Sequence, residues 1–209
     1  MKSGKVAWEC SHDLSACVEK EVLQDGGLIF QRLQRNPAGI SITELGCGKG
    51  IPLCAALLAL DRFGFTGSVN ITLQDMDAST IESVTKPYVE SVMNKLSAQF
   101  LGRVRVEFVV SRWDSLEISR NSQDVILSSE CIYRDDLFPS HAEVIAKSLS
   151  PDGVALVAGK RYYFGCGGGT IDFSCYLNEH YPEFKVGSVS VFENGMSNTR
   201  EILSVFKSY

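Results

Sequence analysis

The stretch from Ile40 to Arg62 constrains the chain most. A short apolar, β-branched run, Ile40 to Leu45, enters a glycine-rich turn, Glu44-Leu-Gly-Cys-Gly-Lys-Gly50. The turn opens directly onto Ile51 to Arg62, a segment apolar nearly all round. A strand feeding a tight turn and then a buried helix is the start of a parallel αβ layer. The remaining sequence repeats this alternation. Strands are expected at Val69 to Leu73, Val104 to Val110, Asp124 to Leu127 and Val154 to Ala158. Helices are expected at Ser79 to Met93, where Pro87 should kink or divide the run, at Leu137 to Leu149, closed by a turn at Ser150 to Gly153, and at Ile171 to His180.

The last two strands, Lys185 to Phe192 and Glu201 to Lys207, are separated by Glu193 to Thr199, with Asn-Gly at Asn194 and Gly195. A gap this short cannot hold a crossover helix, so the two strands should pair antiparallel as a hairpin. The predicted architecture is an α/β fold: a seven-stranded, mostly parallel sheet with an antiparallel C-terminal hairpin and helices on both faces. That arrangement resembles the seven-β-strand, Rossmann-like class I methyltransferases that use S-adenosylmethionine. A plain dinucleotide-binding sheet lacks the hairpin, and the GxGxG spacing here differs from the GxGxxG of dinucleotide binders. The whole of 1–209 reads as one domain, in which 1–35 forms an N-terminal segment and helix covering the cofactor.

Composition narrows the partners. Lys and Arg number 20 against 25 Asp and Glu, a formal charge of -5; direct nucleic-acid binding is not expected, because phosphate contacts call for a basic surface. The longest apolar run, Ile51 to Leu60, is half of a membrane span. Met1 to Lys20 is polar throughout, so no leader with an apolar segment opens the sequence. There are seven cysteines, an odd number, without a CxxC pair, and the three histidines are dispersed. A reducing compartment, cytoplasmic or nuclear, and the absence of a metal site are the expectations. Most of the cysteines should be small buried hydrophobes.

Chemistry concentrates where strands end, since ligands of open α/β sheets lie beyond the carboxyl ends of their strands. Glu44, Gly46 and Gly48 line the first turn. Asp75 ends the second strand, in Leu73-Gln-Asp-Met-Asp77, where a carboxylate can accept both hydroxyls of a ribose; Asp77 is its competitor and a natural helix cap. Trp113 follows the third strand, in Ser111-Arg-Trp-Asp114, and is placed either to stack on an adenine or to pack in the core. Ser128-Ser-Glu-Cys-Ile-Tyr133 leaves the fourth strand and brings Glu130 and Tyr133 to the point where a transferred group should lie. A carboxylate there can orient a nitrogen nucleophile and neutralise its developing charge. After the fifth strand comes Gly159-Lys-Arg-Tyr-Tyr-Phe-Gly-Cys-Gly-Gly-Gly169. It lacks the order of a P-loop and reads as a mobile loop facing the substrate, with Tyr162, Tyr163 and Phe164 walling a flat target.

Together these segments resemble the protein-histidine N-methyltransferases of the methyltransferase-like protein 18 type. The likeness rests on Gly4 to Leu14 with its Trp8-Glu-Cys10, on Glu44 to Gly50, on Leu73 to Asp75 with Val84 to Pro87, on Arg112-Trp113, on Ser129-Glu-Cys-Ile-Tyr133, and above all on Lys160 to Gly169. Ser111-Arg112 departs from that family's usual Gly-Glu. The resemblance implies S-adenosylmethionine as cofactor and S-adenosylhomocysteine as product. It puts Ala7, Trp8, Glu9, Cys10, Ser11, Glu44, Gly46, Gly48, Gln74, Asp75, Met76, Ser111, Arg112, Trp113 and Ser129 around the cofactor. Position makes Glu130 and Tyr133 the catalytic candidates, and Tyr162, Tyr163, Phe164, Gly165 and Gly167 the substrate-binding ones. The resemblance further implies a monomer acting on a histidine ring nitrogen of a large-subunit ribosomal protein. A lysine methyltransferase of the same wider group, and a non-catalytic binding partner built on the same fold, are the alternatives.

Overall fold

The computed structural model describes residues 7–193 and 198–208. The Asn194–Gly195 turn and residues 4–6 of the opening segment lie outside them. One seven-stranded sheet runs in the order β3-β2-β1-β4-β5-β7-β6. Its strands are β1 (Gly39–Leu45), β2 (Ser68–Asp75), β3 (Val104–Val110), β4 (Gln123–Ser129), β5 (Leu149–Lys160), β6 (Phe184–Phe192) and β7 (Arg200–Lys207). β1 to β5 pair parallel; β7 inserts antiparallel between β5 and β6. The expected fold is the observed one. The order reverses direction at β1 and β4, so the crevice beyond their carboxyl ends is where such a sheet takes its ligand.

Each strand alternates its side chains between two cores. Val125 and Leu127 of β4, with Val154, Leu156 and Ala158 of β5, face α1 (Glu9–Leu23), α2 (Leu28–Arg35) and α3 (Ile51–Phe63). Ile126, Ala155 and Val157 face the opposite layer of α7 (Phe138–Ser148) and α8 (Thr170–His180). α3 buries Leu53, Cys54, Ala56, Leu57, Ala59 and Leu60, as its continuous apolar sequence requires. α1 buries Cys10, Leu14, Cys17, Val18 and Val22, a stripe at helical spacing, against α3. Among the described residues no helix is long and apolar enough to cross a membrane.

Three local expectations change. Residues 78–93 are continuous helix: α4 (Ala78–Thr80), a π turn (Ile81–Thr85) and α5 (Lys86–Met93). Pro87 sits in the first turn of α5, and the wider π turn ahead of it absorbs the missing N–H, so the chain needs no break. A short α6 (Ala98–Leu101), capped by the Ser97 hydroxyl, was not expected. Ser150 to Gly153 is not a separate turn but an irregularity inside β5, across which the pairing with β4 shifts between Gln123 and Val125.

Candidate functional site

The first turn is held from below by one buried side chain. Gln74 Oε1 accepts the Gly46 N–H at 3.0 Å and the Trp113 Nε1–H at 2.9 Å, while its Nε2 donates to the Ser111 carbonyl at 2.6 Å. Gln74 thereby ties the ends of β1, β2 and β3 together. Expected from the sequence beside the cofactor, Gln74 braces the scaffold with its side chain. Gly46 has φ 61°, and a Cβ there would meet the Cys131 Sγ at 2.5 Å; only glycine fits the conformation and the space. Thr85, in the π turn, donates its hydroxyl to the Gly48 carbonyl at 2.5 Å, so the unexpected helix geometry also buttresses the turn.

Asp75 ends β2 with its carboxylate oriented by backbone. Oδ2 accepts the Gly48 N–H and Oδ1 the Asp77 N–H, each at 3.0 Å, and both oxygens keep lone pairs for a diol. Asp77 caps α4 through the Ser79 N–H, the role weighed for it above. Beside them Met76 is 66% exposed, an apolar surface at the strand end. Trp113 stands in a 3-10 turn (Trp113–Ser115) with its ring edge-on to the buried His141, centroids 4.8 Å apart. Burial alone lowers His141 to about 3, so that imidazole is neutral. Its Nε2 meets the Ser128 hydroxyl at 2.8 Å. Ser111 bonds the Arg112 carbonyl and Arg112 pairs with Asp114 on the surface.

Glu44 is fully buried. Its Oε2 accepts the Leu53 N–H at 3.0 Å and its Oε1 has no partner. Burial first, then the charge of Asp75, raises it to about 8. An unpartnered buried acceptor beneath a backbone turn, with a ready carboxylate one strand away, suits a cationic amino-acid group joined to a ribose.

The other side of the crevice is built from side chains. Glu130 leaves β4 with φ 58°, a conformation uncommon for a residue with a Cβ. Its N–H bonds the Ala158 carbonyl at 3.0 Å. Its Oε2 accepts the Tyr163 hydroxyl at 2.5 Å; its Oε1 is buried without a partner. The Cys10 thiol, from the first turn of α1, faces the same carboxylate. Burial, then the Glu130 charge, pushes both the Cys10 thiol and the Tyr163 phenol far up, so both stay protonated. Cys47 and Cys131, on the glycine-turn side, are also raised chiefly by burial, Cys131 to about 12.

α1 is fastened over this side by Arg200, which pairs with Asp13 at 2.5 Å and with Glu9 at 3.6 Å. Ser11 returns its hydroxyl to the Trp8 carbonyl at 2.6 Å. Trp8 and Ala7 stay on the surface, and Ser129 is half-buried at the end of β4.

The loop after β5 is a closed hairpin. The Tyr163 N–H bonds the Gly168 carbonyl at 2.9 Å, and the Cys166 N–H closes a turn onto the Tyr163 carbonyl at 3.0 Å. Gly167 bridges to Arg134, and a Cβ on Gly168 would strike the Ile132 carbonyl at 2.4 Å; the glycines let two backbones touch. The turn presents Phe164, 88% exposed, with Gly165 beside it, and leaves Tyr162 and Tyr133 open. The Tyr133 ring meets the Tyr163 ring edge-on at 6.4 Å. Tyr163 itself turns inward to Glu130 rather than joining that exposed wall. Among the described residues no group of three or more His, Cys, Asp or Glu side chains is assembled to hold a metal ion.

Residues 2–164 match the family model described as lysine methyltransferase. The chain belongs to this lysine methyltransferase family. Curated relatives carry a different acceptor in their names. A "histidine protein methyltransferase 1 homolog" of Dictyostelium discoideum is 26% identical, over 98% of this chain and 58% of its own. "Histidine protein methyltransferase 1" of Saccharomyces cerevisiae is 28% identical, over 90% and 62%. The chain thus spans little more than half the length of the curated relatives it matches. Among solved structures, the citrinin polyketide synthase methyltransferase domain superposes with a TM-score of 0.62 at 19% identity, covering 87% of this chain and 51% of that one. A Synechocystis magnesium protoporphyrin IX methyltransferase with bound S-adenosylmethionine gives 0.58 at 12%, covering 97% and 86%. These share the fold.

Proposed function

We propose that the chain is an S-adenosylmethionine-dependent protein methyltransferase that modifies a ring nitrogen of a histidine. The observation that carries this reading is the pair of half-satisfied carboxyl groups flanking the crevice, Glu44 beside the glycine turn and Glu130 beside the exposed aromatics. The first has the surroundings for the cofactor's amino-acid end, with Asp75 accepting its ribose hydroxyls. The second has an oxygen free for a donor on the target. The sulfonium supplies a methyl group that is already activated. What the protein has to add is alignment and exclusion of water. A neutral imidazole carries one N–H and one lone pair. Glu130 accepting the N–H leaves the other nitrogen as the nucleophile and stabilises the imidazolium it becomes. Tyr133, Tyr162 and Phe164 flank the ring and its peptide. The names of the relatives favour histidine. The resemblance to that group of enzymes makes a large-subunit ribosomal protein the proposed substrate, met in the cytoplasm or nucleus by a monomer.

The description of the matched family supports a second reading, in which Glu130 and Tyr133 orient a lysine ε-amine. Incubating the chain with S-adenosylmethionine and a large-subunit ribosomal protein fraction, then locating the added methyl by mass spectrometry, decides between them. Methylhistidine is the expected product; methyllysine alone would transfer the proposal to the second reading, and no cofactor binding at all would leave a partner-binding protein.

A further inference from the structure

We propose that Tyr163 is a positioning residue that dictates which ring nitrogen is methylated, an inference that rests on the histidine reading above. The argument is a count of protons. The Lys160 N–H donates to the Tyr163 Oη at 3.1 Å. A phenol has a single proton. With a backbone donor fixed on its oxygen, that proton points at Glu130 Oε2, 2.5 Å away. Oε2 is therefore the acceptor of a committed bond. The only carboxylate oxygen left for a target is Oε1, which has no partner and is shut off from solvent. Water offers it no replacement donor, so an incoming N–H there makes a charge-assisted bond at full strength.

The rest of the setting restricts movement of the carboxylate. The residue leaves β4 in the left-handed region, its N–H tied to Ala158, and the Cys10 thiol packs against its other side. α1 starts after Trp8, which makes no side-chain cap, and its first turn carries Cys10. One fixed oxygen accepting one ring N–H leaves one nitrogen facing the methyl donor. Methyl transfer forms the N–C bond as the C–S bond breaks. The pair of electrons returns to sulfur, and the ring leaves as an imidazolium that loses its N–H proton to solvent. Without the Tyr163 hydroxyl the carboxylate can rotate and accept from either tautomer.

The test compares the parent chain with Tyr163→Phe on the protein that the parent methylates. Three quantities are measured: turnover, S-adenosylmethionine affinity, and the ratio of the two ring-methylated histidine isomers after acid hydrolysis. The expected result is one isomer from the parent. Tyr163→Phe should lose about tenfold in turnover, the scale of a hydrogen bond to a charged group, keep its cofactor affinity within a factor of about two, and give a mixture of isomers. Slower turnover with a single isomer would make Tyr163 a structural latch and overturn the inference. So would unchanged turnover. Methyllysine from the parent would sink the histidine reading and this inference with it, a failure visible before any variant is made. If Tyr163→Phe does not fold, Glu130→Gln reads the same geometry. Tyr163 then holds the amide oxygen and an NH2 takes the place of Oε1, so near-complete loss of turnover is expected, and retained single-isomer activity would overturn the proposal.

Discussion

Glu44 and Glu130 hold matching places, one in the last turn of β1 and the other just past β4, each with one oxygen bonded and one buried alone. Their surroundings differ in kind. Glu44 is fixed by a backbone N–H of α3, and the groups around it, the Gly46 and Gly48 turn and the Asp75 carboxylate, are tied by Gln74 and by main-chain bonds. Glu130 is fixed by a tyrosine from a hairpin 33 residues away and faces a thiol from α1. The side proposed for the cofactor is thus bound into strand ends that the core holds. The side proposed for the target is assembled from a loop, a helix start and a strand end, with aromatic rings left on the surface. A side made of main chain can serve any methyl transfer of this class, whereas a side made of side chains is where specificity can change without disturbing the sheet.

The comparison is broken most directly by Glu130→Gln. Turnover should fall about 10²–10³-fold, the scale of losing an acid–base or charge-stabilising group, while S-adenosylmethionine titrates as in the parent. Equal loss of both would mean that the two sides are one. Asp75→Ala should do the converse, weakening cofactor affinity in calorimetry by on the order of a hundredfold through the lost ribose hydrogen bonds. Gly46→Ala should cost about 1–3 kcal/mol of stability in denaturant unfolding, since both the φ of 61° and the Cys131 Sγ oppose a Cβ. Phe164→Ala should leave the unfolding midpoint alone and raise KM for the protein substrate by a few-fold, because the residue is 88% exposed. A midpoint shift there would show that the loop is a structural brace.

A pH dependence sets Glu44 apart. Its pKa rises from 4.5 to about 8 on folding, so between those values the folded state holds the proton and the unfolded state has lost it. Stability therefore falls as pH rises through that window and levels off above it. Glu44→Gln should flatten this slope in thermal unfolding between pH 5 and 8.

The sheet was legible because strands and helices alternate in period and the short 193–199 gap forces a hairpin. The π turn at Ile81–Thr85 was not, since Pro87 signals a break in isolation and only the tertiary contact of Thr85 with Gly48 favours a wider turn. In the site, Asp75, Glu130 and the glycine turn stood out by type and position. The bracing role of Gln74 was not legible, because an amide at a strand end looks the same whether it meets a ligand or a tryptophan. The bond between Tyr163 and Glu130, the approach of Cys10 and the support of Cys131 under Gly46 had no local signal at all. They arise from segments brought together only by the fold.

The protonated sulfurs have a practical corollary. S-adenosylmethionine is an alkylating agent, and the proposed site has three thiols near it, Cys10, Cys47 and Cys131, each soft enough to capture a methyl group as a thiolate. Buried and held in the S–H form, they are poor nucleophiles. A bound methyl donor would then be kept loaded without alkylating the chain that holds it. Cys166 and Cys175 are the exposed thiols, and they are where a maleimide would attach first, one of them on the loop proposed to face the target.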